Sequence, residues 1–203
     1  MAELDQSHSG APPERGVWLR SAESTWLDDL ADRRGARERR VAHDLVELSR
    51  LDRGSEQALA ETVDLAEVVR SVCGRYRHVA ISGPDRVSAI TDPRRLARVL
   101  ALLLNNACLH GAPPVSVSYD ATGITVTDAG PGIEDRVLMH ATDPFVTGRR
   151  GPGRGVGLGL AIAARQATLL GGELMLANAA EGGAVARVIL DAHAGAADAA
   201  HAA

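Results

Sequence analysis

An α/β (α+β) fold preceded by a helical segment is predicted by three features of this 203-residue sequence. Leu96, Val99, Leu100, Leu103, Leu104 and Ala107 follow the i, i+3, i+4, i+7 spacing of a helix buried along one face. Val115, Val117 and Tyr119 then alternate with Ser116, Ser118 and Asp120, and Ile124 and Val126 resume after Gly123, as half-buried strands do. A further helix, Leu158 to Leu170, stops at Gly171-Gly172 and leads into two apolar stretches, Leu174 to Ala177 and Val185 to Leu190, around a Gly182-Gly183 turn.

Taken in order, residues 1–20 and 192–203 lack any periodic apolar face and are expected to be disordered tails. Residues 21–54 form a helical segment: Trp26, Leu27 and Leu30, then Val41, Leu45 and Leu48, give one apolar stripe that needs covering. The arginines between Arg33 and Arg40 read as a solvated helix face. After the break at Gly54-Ser55 the main domain is expected over residues 60–191. A periodic segment from Thr62 through Leu65, Val68, Val69 and Val72 reads as its first helix. Val79 to Ile81 and Ser88 to Ile90, separated by Gly83-Pro84-Asp85, read as a hairpin. Asp92-Pro93 supplies an N-cap carboxylate and a first-turn proline for the long helix. The stretch from Pro144 to Gly153 reads as a glycine- and proline-rich loop, a lid beside the helix that follows.

Composition narrows the function classes. Hydrophobic residues make up 45% of the chain and aromatics only 2%, so the core must come from Leu, Val, Ile and Ala. A formal net charge of -4 gives no general attraction to nucleic acid or to an anionic membrane, so an anionic ligand must be held locally. Cys73 and Cys108 lack metal-ligand spacing and read as two reduced core thiols. With no leader pattern and no apolar run that could span a bilayer, a cytoplasmic protein is expected.

Three groups of residues carry chemistry. At about 100° per residue, Leu102, Asn106 and His110 share one edge of the long helix, with Asn105 opposite. There the Asn106 amide oxygen is a suitable hard ligand for a magnesium ion carried by phosphates; the bland alternative is a boundary Asn and a surface His. Asp128 ends its strand in phase with Ile124 and Val126, so its carboxylate points inward and needs a donor, which a ligand amino group can be. Gly130 and Gly132 free the backbone there for close approach, although a plain Asp-Gly turn also accounts for them. Gly153, Gly155, Gly157 and Gly159 run into a helix and aim bare N–H groups at an anion, where the alternative is a merely flexible loop. Arg149, Arg150 and Arg154 beside them carry no assignment.

The order of these pieces resembles the histidine kinase catalytic domain of the GHKL ATPase superfamily, over roughly Asp44 to Leu190. Leu-Leu-Leu-Asn105-Asn106-Ala107-Cys108-Leu109-His110-Gly111 looks like its N box. Asp128-Ala-Gly130-Pro-Gly132-Ile133 looks like the G1 box, and Gly155-Val-Gly157-Leu158-Gly159-Leu160 like the G2 box. Phe145 after Pro144 stands as in the F box, and Asp44 to Gly54 looks like the end of a second dimerisation helix. The resemblance implies a Bergerat ATP-binding fold, a two-layer sandwich with a mixed sheet, and makes residues 21–54 a remnant of a dimerisation domain. It implies ATP and Mg2+ as ligands, with Asn106 on the metal, Asp128 on the adenine amino group, and Gly155, Gly157, Leu158 and Gly159 around the phosphates. His110, Gly130, Gly132 and Phe145 complete the implied nucleotide site. No catalytic side chain is assigned to this domain, because the family transfers the γ-phosphoryl group to a histidine on the dimerisation helices by positioning and charge neutralisation.

Departures refine that expectation. Leu102 stands where a further Asn is common, Leu109 where a basic residue is usual, and Thr142 where an aromatic would stand, which implies weaker metal and phosphate binding. No acceptor box precedes Ser49, so the acceptor is expected in a partner chain or lost. His43, with Asp44 beside it, aligns with an ordinary helix position. The implied partners are a response regulator or the phosphoacceptor domain of a kinase, with weak homodimer formation through Leu45 and Leu48. A nucleotide-gated binding module without phosphoryl transfer, and a serine kinase of the anti-sigma type, are the competing readings.

Overall fold

A computed structural model describes residues 35–54, 56–148 and 155–190. The chain divides into two compact units, residues 1–42 and 43–203. Of the first, residues 35–42 are described and are helical. The second unit opens on the helix α1 (residues 43–52). The predicted stripe at Trp26, Leu27 and Leu30, the arginines at 33, 34, 149, 150 and 154, Gly153 and both tails lie outside the described residues.

The second unit continues with β1 (Glu61–Asp64), α2 (Leu65–Cys73), β2 (Val79–Ser82), β3 (Ser88–Thr91) and α3 (Pro93–His110). β4 (Val115–Asp120), β5 (Gly123–Thr127), the single turn α4 (Asp135–Leu138), α5 (Gly159–Leu169), β6 (Glu173–Asn178) and β7 (Ala184–Ile189) follow. Five strands form one sheet in the order β2-β4-β5-β7-β6, with β2 parallel to β4 and every other pair antiparallel. The predicted two-layer α/β sandwich with a mixed sheet is therefore what forms. α3 is its keystone, packed against α2, α5 and β5.

The core is as aliphatic as the composition requires: Leu65, Leu96, Leu100, Leu103, Leu104, Ile124, Ile162 and Val117 are among its fully buried side chains. The Asp92 carboxylate caps α3 by accepting from Arg94 N and Arg95 N, while its second oxygen accepts from Leu59 N at 3.0 Å. Burial pushes the Asp92 carboxyl up, but the Leu59, Arg95 and Arg94 donors and the Arg95 charge outweigh it and leave it below the ordinary value.

Three expectations need correction. The predicted hairpin of residues 79–81 and 88–90 does not form, since β2 pairs with β4 and β3 pairs with β1 in a separate two-stranded sheet. Contacts distant in sequence explain the divergence. Tyr119 of β4 donates to the Pro84 carbonyl at 2.8 Å and pins the exit of β2, while Asp64 accepts from Val87 N at 3.0 Å and draws the start of β3 to β1. The helix expected from Thr62 begins at Leu65, because Asp64 is its N-cap and accepts from Ala66 N. Cys108 is an exposed thiol, not a core one; Cys73 is buried as expected.

The helix ends at residue 52 and β1 begins at Glu61, and packing joins residues 43–52 to the rest of the second unit. Leu48 and Leu51 are buried in its core cluster, whereas Leu45 and Val46 remain exposed. No helix among the described residues is long and apolar enough to cross a membrane.

Candidate nucleotide site

Asp128 follows directly on β5, and the alternation of that strand turns its side chain inward with Ile124 and Val126 until it is 6% exposed. Its backbone stays in the sheet, donating to the Ala184 carbonyl of β7 at 3.1 Å. One carboxylate oxygen accepts from Gly130 N at 2.8 Å. Among the described residues no protein donor meets the other oxygen, which is the arrangement a ligand amino group completes.

Two glycines crowd this carboxylate, and a third crowds the backbone behind it. A Cβ on Gly111 would overlap the Asp128 carboxyl carbon, one on Gly130 would come within 2.7 Å of Gly111 Cα, and one on Gly183 would overlap the Asp128 carbonyl. Gly130 and Gly132 lie in the loop that leaves Asp128, and Gly132 has a φ of +75° that excludes most other residues. Gly111 and Gly183 were legible in the sequence only as a helix stop and a turn. Their contact with Asp128 arises because the end of α3 and the β6–β7 turn converge on one point.

The helix edge predicted from Leu102, Asn106 and His110 faces the glycine loop. A Cβ on Gly159 would lie 3.9 Å from Leu102 Cδ2, and one on Gly155 would lie 3.9 Å from His110 Nε2. The segment from Gly155 to Gly159 thus runs alongside α3 in the opposite sense, with Asn106 on the stretch of helix between its two ends. Asn106 is half-buried and, among the described residues, its carboxamide has no protein partner. Asn105 faces away as predicted, where its Oδ1 accepts from the Tyr76 hydroxyl at 3.2 Å.

Phe145 and the glycine loop are tied together, since Phe145 N donates to the Gly157 carbonyl at 2.9 Å. Gly157 has a φ of +79°, and a Cβ there would press on Phe145 and Val146 backbone atoms. Phe145 itself takes a φ of +67° and is exposed. Leu158 is buried beneath the loop, and α5 begins at Gly159 with no side-chain cap, leaving its first N–H groups open.

Gly111, which abuts Asp128, follows His110, which faces Gly155. The last turn of α3 therefore adjoins both halves, the Asp128 carboxylate on one side and the bare-backboned loop on the other, with Asn106 along the same helix. Such an arrangement is suited to a flat base with an amino group at one end and an anion at the other.

Comparison with known proteins gives the same direction. Residues 91–194 match the family described as Histidine kinase-, DNA gyrase B-, and HSP90-like ATPase. Sensor protein CseC of Streptomyces avermitilis is 40% identical over 148 residues, covering 72% of this chain and 30% of that protein. Signal transduction histidine-protein kinase AfsQ2 of Streptomyces coelicolor is 37% identical over 182 residues, covering 85% of this chain and 32% of that protein. Among solved structures, the histidine kinase domain of the E. coli osmosensor EnvZ superposes with a TM-score of 0.51 and 30% identity, covering 68% of this chain and 91% of that one. This chain spans about a third of the length of the two curated relatives.

Proposed function

Because this chain belongs to the histidine kinase-, DNA gyrase B-, and HSP90-like ATPase family, we propose that it is the ATP-binding catalytic module of a two-component histidine kinase. The observation that carries this reading is the convergence at the end of α3, where the Asp128 carboxylate abuts Gly111 and the Gly155–Gly159 loop runs beside His110. Asp128 accepts a hydrogen bond from the adenine amino group, and Gly130 and Gly132 allow the base to lie against the backbone. Gly155, Gly157, Leu158 and Gly159, with the open start of α5, take the phosphates. Phe145 and His110 border the loop and hold its course.

The half-buried Asn106 carboxamide, lacking a protein partner among the described residues, fits a magnesium ligand. Magnesium, when bound, neutralises phosphate charge. This domain's own part is to orient the nucleotide and exclude water from it, and the γ-phosphoryl group passes to a histidine imidazole supplied from outside the site. A response regulator or a phosphoacceptor domain is the proposed partner.

His43 is a poor acceptor. Its ring lies 3.9 Å from both Asp44 and Glu47, beyond hydrogen-bond reach, and both carboxylates are engaged by Arg98.

The test is calorimetric ATP binding by wild type and Asp128→Asn, followed by incubation with γ-labelled ATP, magnesium and a separate phosphoacceptor domain. Wild type is expected to bind and Asp128→Asn to lose binding by at least about tenfold, as removal of a charged hydrogen-bond acceptor does. Acid-labile, alkali-stable label on the acceptor supports phosphohistidine transfer. Equal binding by both chains removes the adenine assignment, and label on serine moves the reading to the serine-kinase class.

A further inference from the structure

We infer that Asn178, at the end of β6, is a positioning residue for the nucleotide base, acting through the loop that follows Asp128. This rests on the adenine-nucleotide reading of Asp128. The loop has two halves with different supports. Its first half is held by the sheet and by the segment that follows α3: Asp128 N donates to Ala184 O, and Ala129 N donates to Ala112 O at 2.9 Å. Its second half leaves the sheet, contains Pro131, which has no N–H to donate, and passes through Gly132 at positive φ.

There a side chain takes over the work of a strand. The Asn178 Oδ1 accepts from Ile133 N at 2.7 Å, and its Nδ2 donates to the Ile133 carbonyl at 2.7 Å. A carboxamide presents a C=O and an N–H side by side, as a backbone residue does in an antiparallel pair, so Asn178 satisfies both groups of Ile133 at once. The fit is close, because a Cβ on Gly132 would lie 2.7 Å from Asn178 Oδ1. Glu134, next in the chain, makes no side-chain cap bond to α4, so the clamp at Ile133 is the fixed point before that turn.

Without the clamp, the segment from Gly130 to Ile133 must be ordered when the base arrives, and affinity falls by the fraction of time the loop is misplaced. Two net hydrogen bonds at an exposed position set that effect at roughly threefold to tenfold. An aspartate cannot replace the asparagine. It keeps the acceptor for Ile133 N but turns the donor into a second acceptor, facing the Ile133 carbonyl.

ADP binding is measured by calorimetry for wild type, Asn178→Ala and Asn178→Asp, with and without magnesium, beside amide hydrogen exchange. Both variants are expected to lose roughly threefold to tenfold in ADP affinity, by the same factor with or without magnesium, because the loop faces the base and not the phosphates. The Ile133 amide is expected to exchange faster in Asn178→Ala, bound or free, while protection in α3 stays as in wild type. Affinity within twofold of wild type overturns the inference. So does a loss that appears only when α3 protection falls with it, which marks Asn178 as structural alone. A wild-type chain that binds no ADP overturns the adenine reading itself, and this inference with it.

Discussion

Arg98 of α3 reaches back 51 residues to Glu47 of α1, its Nη2 donating to the carboxylate at 2.7 Å. Gln166 of α5 donates to the other Glu47 oxygen at 2.9 Å, so one glutamate joins three helices. Burial pushes the Glu47 carboxyl up, but the bonds from Arg98 and Gln166 and the Arg98 charge outweigh it, and it sits below the ordinary 4.5. A carboxyl depressed in the folded state gives stability that is fully present above the ordinary value and is lost as pH falls below it. Residues 43–52 are therefore expected to lose amide protection as pH drops below about 4.5, before the sheet does. Glu47→Gln is expected to weaken the docking by about 1 kcal/mol at neutral pH and to flatten that acid dependence, as read by hydrogen exchange.

Asp92 offers a second test of how the segment before the domain is held. Asp92→Ala removes the α3 cap and the bond to Leu59 N together. The expected cost is about 1–2 kcal/mol in urea unfolding, with faster exchange at Leu59.

At Gly111 the backbone, with φ -86° and ψ -159°, suits any residue, so the cost of a side chain there is purely steric. Gly111→Ala would drive a methyl group into the Asp128 carboxyl. The expected outcome is about 1–3 kcal/mol lost in stability and at least about tenfold in ADP affinity by calorimetry.

Leu104 and Leu109 lie on the same helix and separate packing from exposure. Leu104 is fully buried and Leu109 is 56% exposed. Leu104→Ala is expected to cost about 2–5 kcal/mol, and Leu109→Ala to stay within about 0.5 kcal/mol, in the same denaturation experiment.

How much could be read from the sequence depended on the range of the interaction. α3 and its cap were legible because helix periodicity and N-capping are local, and Asp128 because strand phase continues past the last paired residue. The placement of β2 and β3 was not. Both are short, and what separates them is a parallel pairing with β4 and a side-chain hook at Asp64, neither of which leaves a mark at neighbouring positions. β1 was hidden because Thr62 and Val63 fit the start of the helical pattern as well as a strand. At the site, the stripe of Leu102, Asn106 and His110 followed from helix geometry alone. The glycine contacts around Asp128 and the Asn178 clamp required knowing that the β6–β7 turn comes home beside β5.

That return has a consequence for synthesis of the chain. Gly183 packs against the Asp128 backbone carbonyl, and Ala184 of β7 accepts the Asp128 backbone N–H. A nascent chain still lacking β7 has α3 and the Asp128 loop but lacks the strand that fixes the Asp128 backbone. Nucleotide is thus unable to template the early folding of this domain, and its stabilising effect begins only once the last strand has cleared the ribosome.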